Sequence, residues 1–440
     1  MGKTVNYRLK FNSFRNKTLF GKLEDEQQAF IEEISFKLKL TFQEFHQVVL
    51  AARDLGMWGE GGLKSWWDKN AAEFDFSSVN EKKKILMQLQ TYLHQLRINE
   101  KNYSDVSFFK PAYRKQNKII SKTTDKNIIG MCPVASEKTV CCNLHTIDAV
   151  ENCVFGCSYC TIQTFYGRDI LIQENIKEKL DAISIDPERF YHFGTGQSSD
   201  SLAWGNRNGI LDAHCDFASE HPNILMEFKT KSNNINYFLN STIPQNVVCS
   251  WSLNTPVIIE SEEHFTASLQ ERISSARTLA DRGIKVAFHF HPLVWYKGWN
   301  KDYPDIAKRL LLEFDASEVL FISFGSITLI KPVIQKIRQI GNPTKILQME
   351  FVKDPHGKFT YPDYIKIEMF KQMIDAFKPW KESVFFYLCM EKETIWEESL
   401  QYVYKSNDDF ERDFGRQTMK KIGINVNCFS YVPSGQKRKI

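Results

Sequence analysis

Apolar residues recur along this chain at two different periods, and the change from one to the other divides it. From residue 1 to about 105 the spacing is helical. In Asp25 to Leu40 the positions Phe30, Ile31, Ile34, Phe36, Leu38 and Leu40 recur at roughly helical intervals, and Thr41 is placed to cap the next run, Phe42 to Leu55. Glu81 to Ile98 carries Ile85, Leu86, Leu89, Tyr92, Leu93 and Leu96 along one stripe. Residues 1–105 are therefore expected to form a helical accessory domain. Trp58, Trp66 and Trp67 would fill its core or its contact with the rest of the chain, with a substrate lid as the alternative.

From about residue 140 the texture changes to short apolar runs separated by helical ones. Strands are expected at Val140 to Val150, Phe190 to Gly196, Ile224 to Thr230, Val247 to Leu253, Val286 to Phe290 and Val319 to Phe324. Helices are expected between them: Gln173 to Ser184, Gly209 to Glu220, Glu263 to Asp281, Asp302 to Phe314 and Pro332 to Ile340. Such alternation argues for a parallel α/β sheet with right-handed crossovers. Six units are too few for a closed eight-stranded barrel, so residues 136–345 read as an open partial barrel. Residues 346–440, with the late run Ser383 to Leu388, read as an extension that completes or caps it.

Residues 106–135 read as a basic linker or arm. Lys110, Arg114, Lys115, Lys118, Lys122 and Lys126 face a single acid, Asp125, with Phe108, Phe109 and Tyr113 nearby. Such a stretch can track a phosphate backbone and stack bases; more often it is a solvated connector. Lys437, Arg438 and Lys439 repeat the pattern weakly. A net charge of +4 on 440 residues is too small to argue for nucleic acid by itself, and no run of 18 apolar residues suggests a membrane span. Ten cysteines without an apolar leader point to a reducing, cytoplasmic setting, where thiols serve metal or redox chemistry.

The chemistry concentrates in Glu151-Asn152-Cys153-Val154-Phe155-Gly156-Cys157-Ser158-Tyr159-Cys160. Three cysteines spaced C-x3-C-x2-C on one tight loop can hold three irons of a [4Fe-4S] cube, with Gly156 expected to ease a sharp bend. No fourth cysteine follows at ligand spacing, which leaves one iron open for substrate or cofactor. Zinc is the competing reading, with His145 borrowed as a ligand, but no second ligand pair is visible. Cys132, Cys141 and Cys142 could feed a second cluster. Their spacing is not that of a cluster loop, so they read as core or incidental thiols.

The cysteine loop resembles the signature of the radical S-adenosylmethionine (SAM) enzymes, down to the aromatic Tyr159 before the last cysteine. Further segments resemble the spore photoproduct lyase branch, a group of DNA repair photolyases: Gly194 to Asp200, Phe228 to Lys231, Ser250 to Asn254, Phe288 to Pro292, and Gly298-Trp299. The likeness covers about residues 135 to 395. It implies a partial (β/α)6 radical SAM barrel behind an N-terminal helical domain. Cys153, Cys157 and Cys160 would bind the cluster. Lys231 would pair with the SAM carboxylate, a task that suits a point-charge ammonium. Ser199, Asp200, Ser252 and Asn254 would hydrogen-bond SAM, and Tyr159 would pack beside its adenine or ribose. Ser199 and Asp200 also read as an N-cap.

The implied reaction is reductive cleavage of SAM at the cluster to methionine and a 5′-deoxyadenosyl radical, which abstracts a hydrogen atom from substrate. The electron would come from a donor such as flavodoxin or ferredoxin. Where the lyase carries a hydrogen-donating cysteine, this chain has Gln197, whose N–H bond is too strong for that task. Cys389 is the candidate replacement and Cys249 the next. His289 and His291 alternate along one strand and share a face, whereas His214 and His221 are expected at the surface. The substrate is expected to be a nucleic acid base or nucleotide. A peptide or small metabolite is the alternative, as is a non-catalytic metal protein that binds nucleic acid.

Overall fold

Eight strands, taken in chain order, make one continuous sheet. They are β1 (Ile129–Met131), β2 (His145–Ile147), β3 (Tyr191–Thr195), β4 (Ile224–Thr230), β5 (Val247–Ser252), β6 (Lys285–Leu293), β7 (Val319–Ser326) and β8 (Phe385–Leu388). Only β1 and β2 pair antiparallel; from β2 to β8 each strand runs parallel to the next. The computed structural model describes residues 2–72, 74, 79–109, 118–132, 138–167 and 169–424.

The parallel strands are almost wholly buried, as in Val319–Ser326, with only Lys229, Lys285 and His291 half-buried, because helices cover the outer face and a polar lumen fills the inner one. Alternation places Glu227 and Lys229 of β4, Ser250 and Ser252 of β5, His289 and His291 of β6, and Ser323 of β7 on the lumen side. The sheet curls until its ends approach. An antiparallel bridge between Val140 and Glu391 joins them, its Val140 N–H donating to the Glu391 carbonyl at 3.1 Å.

The late run Ser383 to Leu388 is therefore a seventh parallel strand of the barrel. The helix expected from Glu263 is broken. Pro256–Glu262 is helical, Glu263–His264 is a short strand, and a new helix, Leu269–Ala280, starts at a Ser268–Glu271 capping box. The basic arm is partly built into the fold: Ile119–Lys122 pairs in parallel with Ile170–Gln173, and Lys126 pairs with Glu151 at 2.8 Å. Lys110, Tyr113, Arg114, Lys115 and the tail residues Lys437, Arg438 and Lys439 lie outside the described residues.

The N-terminal region is helical as expected, with helices at Gly2–Asn16, Asp25–Leu38, Phe42–Trp58, Leu63–Asn70 and Val79–Ile98. Thr41 caps its helix in a full capping box with Glu44. Phe11, Phe20 and Phe45 pack edge to face or tilted at its centre, and Trp58 and Trp67 are buried. His214 is buried too, against the surface expectation: its ring lies 2.5 Å from the Ile210 carbonyl on the same helix.

Candidate active site

The cysteine loop lies at the carboxyl ends of the strands, pinned from several sides. Asn152 takes a left-handed conformation (φ 75°), and its amide donates to the carbonyls of Gly167 and Asp169 at 3.0 and 3.2 Å. Gly156–Cys157 forms two antiparallel pairs with Glu263–His264, Cys157 opposite Glu263. Gly156 thus lies in an extended ladder and not at a left-handed bend; a Cβ there would only touch His264 and Phe265 at ordinary contact distance. The Ser158 N–H donates to the Glu262 carbonyl at 2.9 Å, and the Ser158 hydroxyl donates to the Glu262 carboxylate.

Glu263 is the hub beside this loop. It is 1% exposed. It accepts hydrogen bonds from the Tyr159 hydroxyl, from Lys231 Nζ at 2.8 Å and from Asn254 Nδ2 at 3.2 Å, and it pairs with Arg272 at 2.7 Å. Burial alone would raise its pKa; the Lys231 and Arg272 charges outweigh this and bring it down to about 2. The carboxylate gathers Tyr159, Lys231 and Asn254, three of the predicted site residues. The local pattern places Glu263 at the start of a helix, so its pairing with the cysteine loop carries no local signal.

The other predicted residues are close by and already engaged. Asp200 accepts from the backbone N–H groups of Leu202, Ala203 and Lys231 and from the Thr230 hydroxyl, so it caps the turn after β3 and ties that turn to the end of β4. Ser199 accepts from the Trp204 indole at 3.0 Å. The Ser252 carbonyl accepts from Arg272 at 2.7 Å. Asn254 also donates to the Pro292 carbonyl and accepts from the Tyr303 hydroxyl.

Deeper in the lumen, Glu227 accepts from Ser250 and lies 2.8 Å from His192 and 2.5 Å from His289; Ser323 bridges His289 and His291. Burial and the nearby Lys229 charge push His289 down to about 4 and His291 well below the ordinary range, so both rings are neutral at pH 7. Cys389 follows β8, half-buried, with its N–H on the Phe324 carbonyl. Cys249 is fully buried on β5.

The donor set fits an iron–sulfur cube. Three thiols stand on one loop, and burial, the Asp200 charge and the neighbouring Cys160 and Cys157 together raise the Cys153 thiol. Bound irons would reverse that by holding thiolates. Among the described residues no three His, Cys, Asp or Glu side chains are drawn tightly enough around one point to hold a single metal ion. A single zinc ion would need such a convergence, whereas a cube takes its thiolates on separate corners.

A parallel half-barrel with a three-cysteine loop at its carboxyl end defines the radical SAM class of protein. The family model for spore photoproduct lyase matches residues 136–386, more than half the chain. The chain belongs to the spore photoproduct lyase family. It is 26% identical over 232 residues to the spore photoproduct lyase of Clostridium acetobutylicum, covering 50% of this chain and 68% of that one. Over 236 residues it is 22% identical to the Geobacillus sp. enzyme, with the same coverages. The fold matches a spore photoproduct lyase variant solved with dinucleoside spore photoproduct (TM-score 0.54, 18% identity, 61% of this chain and 82% of that one). Another variant, solved with bound SAM and the same dinucleoside, superposes at TM-score 0.53 with 18% identity, again over 61% and 82% of the two chains. The protein is thus an enzyme of radical SAM chemistry, whose cofactors are a [4Fe-4S] cluster and SAM.

Proposed function

We propose that this enzyme acts on a nucleic acid base or nucleotide. Cys153, Cys157 and Cys160 hold the cluster, and Lys231, Tyr159, Asn254, Ser252, Ser199 and Asp200 form the SAM side of the site. The observation that carries the site assignment is the Glu263 hub, which brings residues from the cysteine loop and two strand ends to one buried point. When bound, the cluster and SAM supply reductive cleavage and hydrogen-atom abstraction.

The chain's own residues have three tasks. Lys231 is held by Glu263 with its ammonium against the Tyr159 hydroxyl at 3.2 Å, ready for a carboxylate ligand. Asp200 and Ser199 fix the turn after β3, and Asn254 fixes the end of β5 through Tyr303. The curled sheet keeps bulk water from the reacting centre. Relatives solved with a dinucleoside photoproduct support the substrate class. Gln197 in place of a thiol argues for a hydrogen donor elsewhere. Cys389 can serve only while it is a free thiol. A cytoplasmic flavodoxin or ferredoxin would supply the electron.

The test is anaerobic reconstitution with iron, sulfide, SAM and dithionite, followed by assay of 5′-deoxyadenosine and mass analysis of ultraviolet-irradiated oligonucleotides. Formation of 5′-deoxyadenosine with loss of a thymine photoproduct is expected. Formation of 5′-deoxyadenosine with every oligonucleotide unchanged would move the substrate to a peptide or small metabolite. Lys231→Ala is expected to raise the SAM concentration needed for half-maximal rate by at least about tenfold, the loss of one charge-assisted contact.

A further inference from the structure

We propose that Lys229 and His291 read the edge of a nucleobase inside the lumen, the Lys229 ammonium donating to a carbonyl oxygen and His291 Nδ1 accepting from the N–H beside it. This pairing rests on the nucleobase reading above and names the groups that would recognise the base. Inward positions advance by two residues along each strand. At the inner level Glu227 of β4 meets Ser250 of β5 and His289 of β6, and Ser323 of β7 stands against His289. One level nearer the cysteine loop, the inward positions are Lys229, Ser252, His291 and Gly325. β4 and β5 pair without a break from Met226 to Thr230, which fixes Lys229 above Glu227. Direct contacts hold His291: its Nε2 lies 3.0 Å from Ser323 Oγ, and its ring centre 5.1 Å from that of His289. A Cβ on Gly325 would stand 3.1 Å from His291 Cδ2 and 3.3 Å from Nε2, so the glycine leaves room for that edge of the ring. Nδ1, opposite the Cδ2–Nε2 bond, is the edge turned away from β7.

The inner level determines where the His291 proton sits. The Glu227 carboxylate only accepts, so neutral His289 donates to it from Nε2 and keeps a lone pair on Nδ1. Ser323 has one hydrogen, which goes to His289 Nδ1 at 2.5 Å. The Ser323 oxygen therefore accepts from His291 Nε2, and neutral His291 presents an unprotonated Nδ1. Among the described residues nothing donates to that nitrogen. The Lys229 ammonium likewise has no hydrogen-bond or ion-pair partner among them, although its charge is felt by His289, His291 and Cys389. Polar groups drawn this far from water call for partners. One free donor and one free acceptor at one level suit a ligand that carries the reverse pair.

The chemistry of the pair selects among ligands. A phosphate offers only acceptors and would confront the His291 lone pair. A peptide bond is trans, so its C=O and N–H point in opposite directions and cannot both meet one edge. A thymine ring locks the two side by side, with a carbonyl oxygen next to its N3–H, and an unstacked base exposes that edge. Methylation at N3 removes the hydrogen that His291 would accept and leaves the carbonyl oxygens in place.

The experiment is anaerobic equilibrium dialysis of a dithymidine photoproduct and its N3-methylated counterpart against the full chain, reconstituted and loaded with SAM. N3-methylation is expected to weaken binding to the natural chain about tenfold, and to weaken binding to H291A by no more than about twofold. K229M should bind the unmethylated probe about tenfold more weakly, with the SAM concentration for half-maximal 5′-deoxyadenosine formation unchanged. Equal retention of the two probes by the natural chain, or retention of neither, overturns the assignment, as does an H291A chain that discriminates as well as the natural one. Should H291A lose the natural circular dichroism, K229M decides, and an unchanged affinity for the unmethylated probe overturns the pair. The proposed reaction is judged separately. If 5′-deoxyadenosine forms while every photoproduct survives, that reaction fails, yet discrimination in dialysis still upholds the pair, and its absence strikes both.

Discussion

Glu263 sets the electrostatics of the site from a position no substrate needs to touch. Its buried carboxylate balances Lys231 and Arg272 and accepts from Tyr159 and Asn254. Removing one partner of such a group leaves the others uncompensated in a poorly solvated place. Glu263→Gln keeps the volume and removes the charge. It is expected to cost about 3 kcal/mol at pH 7, read as a lower urea midpoint with unchanged slope. The sign with pH follows from its pKa, down at about 2 against the usual 4.5. The ionised carboxylate contributes stability that is fully present above about 4.5 and is lost as pH falls toward 2. The gap between the natural chain and the variant should therefore narrow between pH 4.5 and the acid limit of folding. A gap that widened on acidification would contradict the pairing.

At the scale of elements, what could be read in advance was what is local. The cysteine loop, the alternation of β3 to β7 with helices and the Thr41 cap all lie within short windows. Asp200 reads as the N-cap of a following helix, but it caps a turn instead, and the next α-helix starts only beyond Gly209. What the windows could not reveal is pairing across the chain: Glu263 against Cys157, the parallel register of β8 on β7, and the Val140–Glu391 bridge. The turn after β3 shows how tight these joints are. Gly196 has φ +88°, and a Cβ there would stand 2.6 Å from Ser201 Oγ and 2.9 Å from the Lys229 carbonyl. Gly196→Ala combines left-handed strain with a clash against the β4 backbone, and is expected to cost more than about 2 kcal/mol. Gly21→Ala, with nothing within 4 Å and no left-handed φ, should stay within about 0.5 kcal/mol. Thermal midpoints of the two variants, measured side by side, check the difference.

Across the whole molecule, the helical domain is coupled to the cysteine loop by a continuous set of contacts. Asp54, 1% exposed on helix Phe42–Trp58, takes both a 2.7 Å pair of bonds from Arg338 and a 3.4 Å bond from Arg97. Beside it the Thr344 N–H donates to the Met57 carbonyl at 2.8 Å, and Lys345 reaches Glu60 and the Trp58 carbonyl, each at 2.6 Å. Thr344 and Lys345 in turn donate to the Glu262 carboxylate at 2.6 and 2.9 Å, Tyr103 joins them at 2.7 Å, and the Glu262 backbone holds Ser158 of the loop. A helix of the accessory domain is thus two residues removed from the cysteine loop, which favours a structural role for that domain over a lid that swings free. Asp54→Ala strips Arg338 and Arg97 of their shared counter-charge and should destabilise the docked state by about 3 kcal/mol. If the contacts are coupled as drawn, the variant should also release reconstituted iron faster under a chelator than the natural chain does. A surface control, Asp68→Ala, breaks only the exposed pair with Lys64 and should change neither. Loss of stability with no change in iron release would mean that the domain props the barrel without reaching the loop.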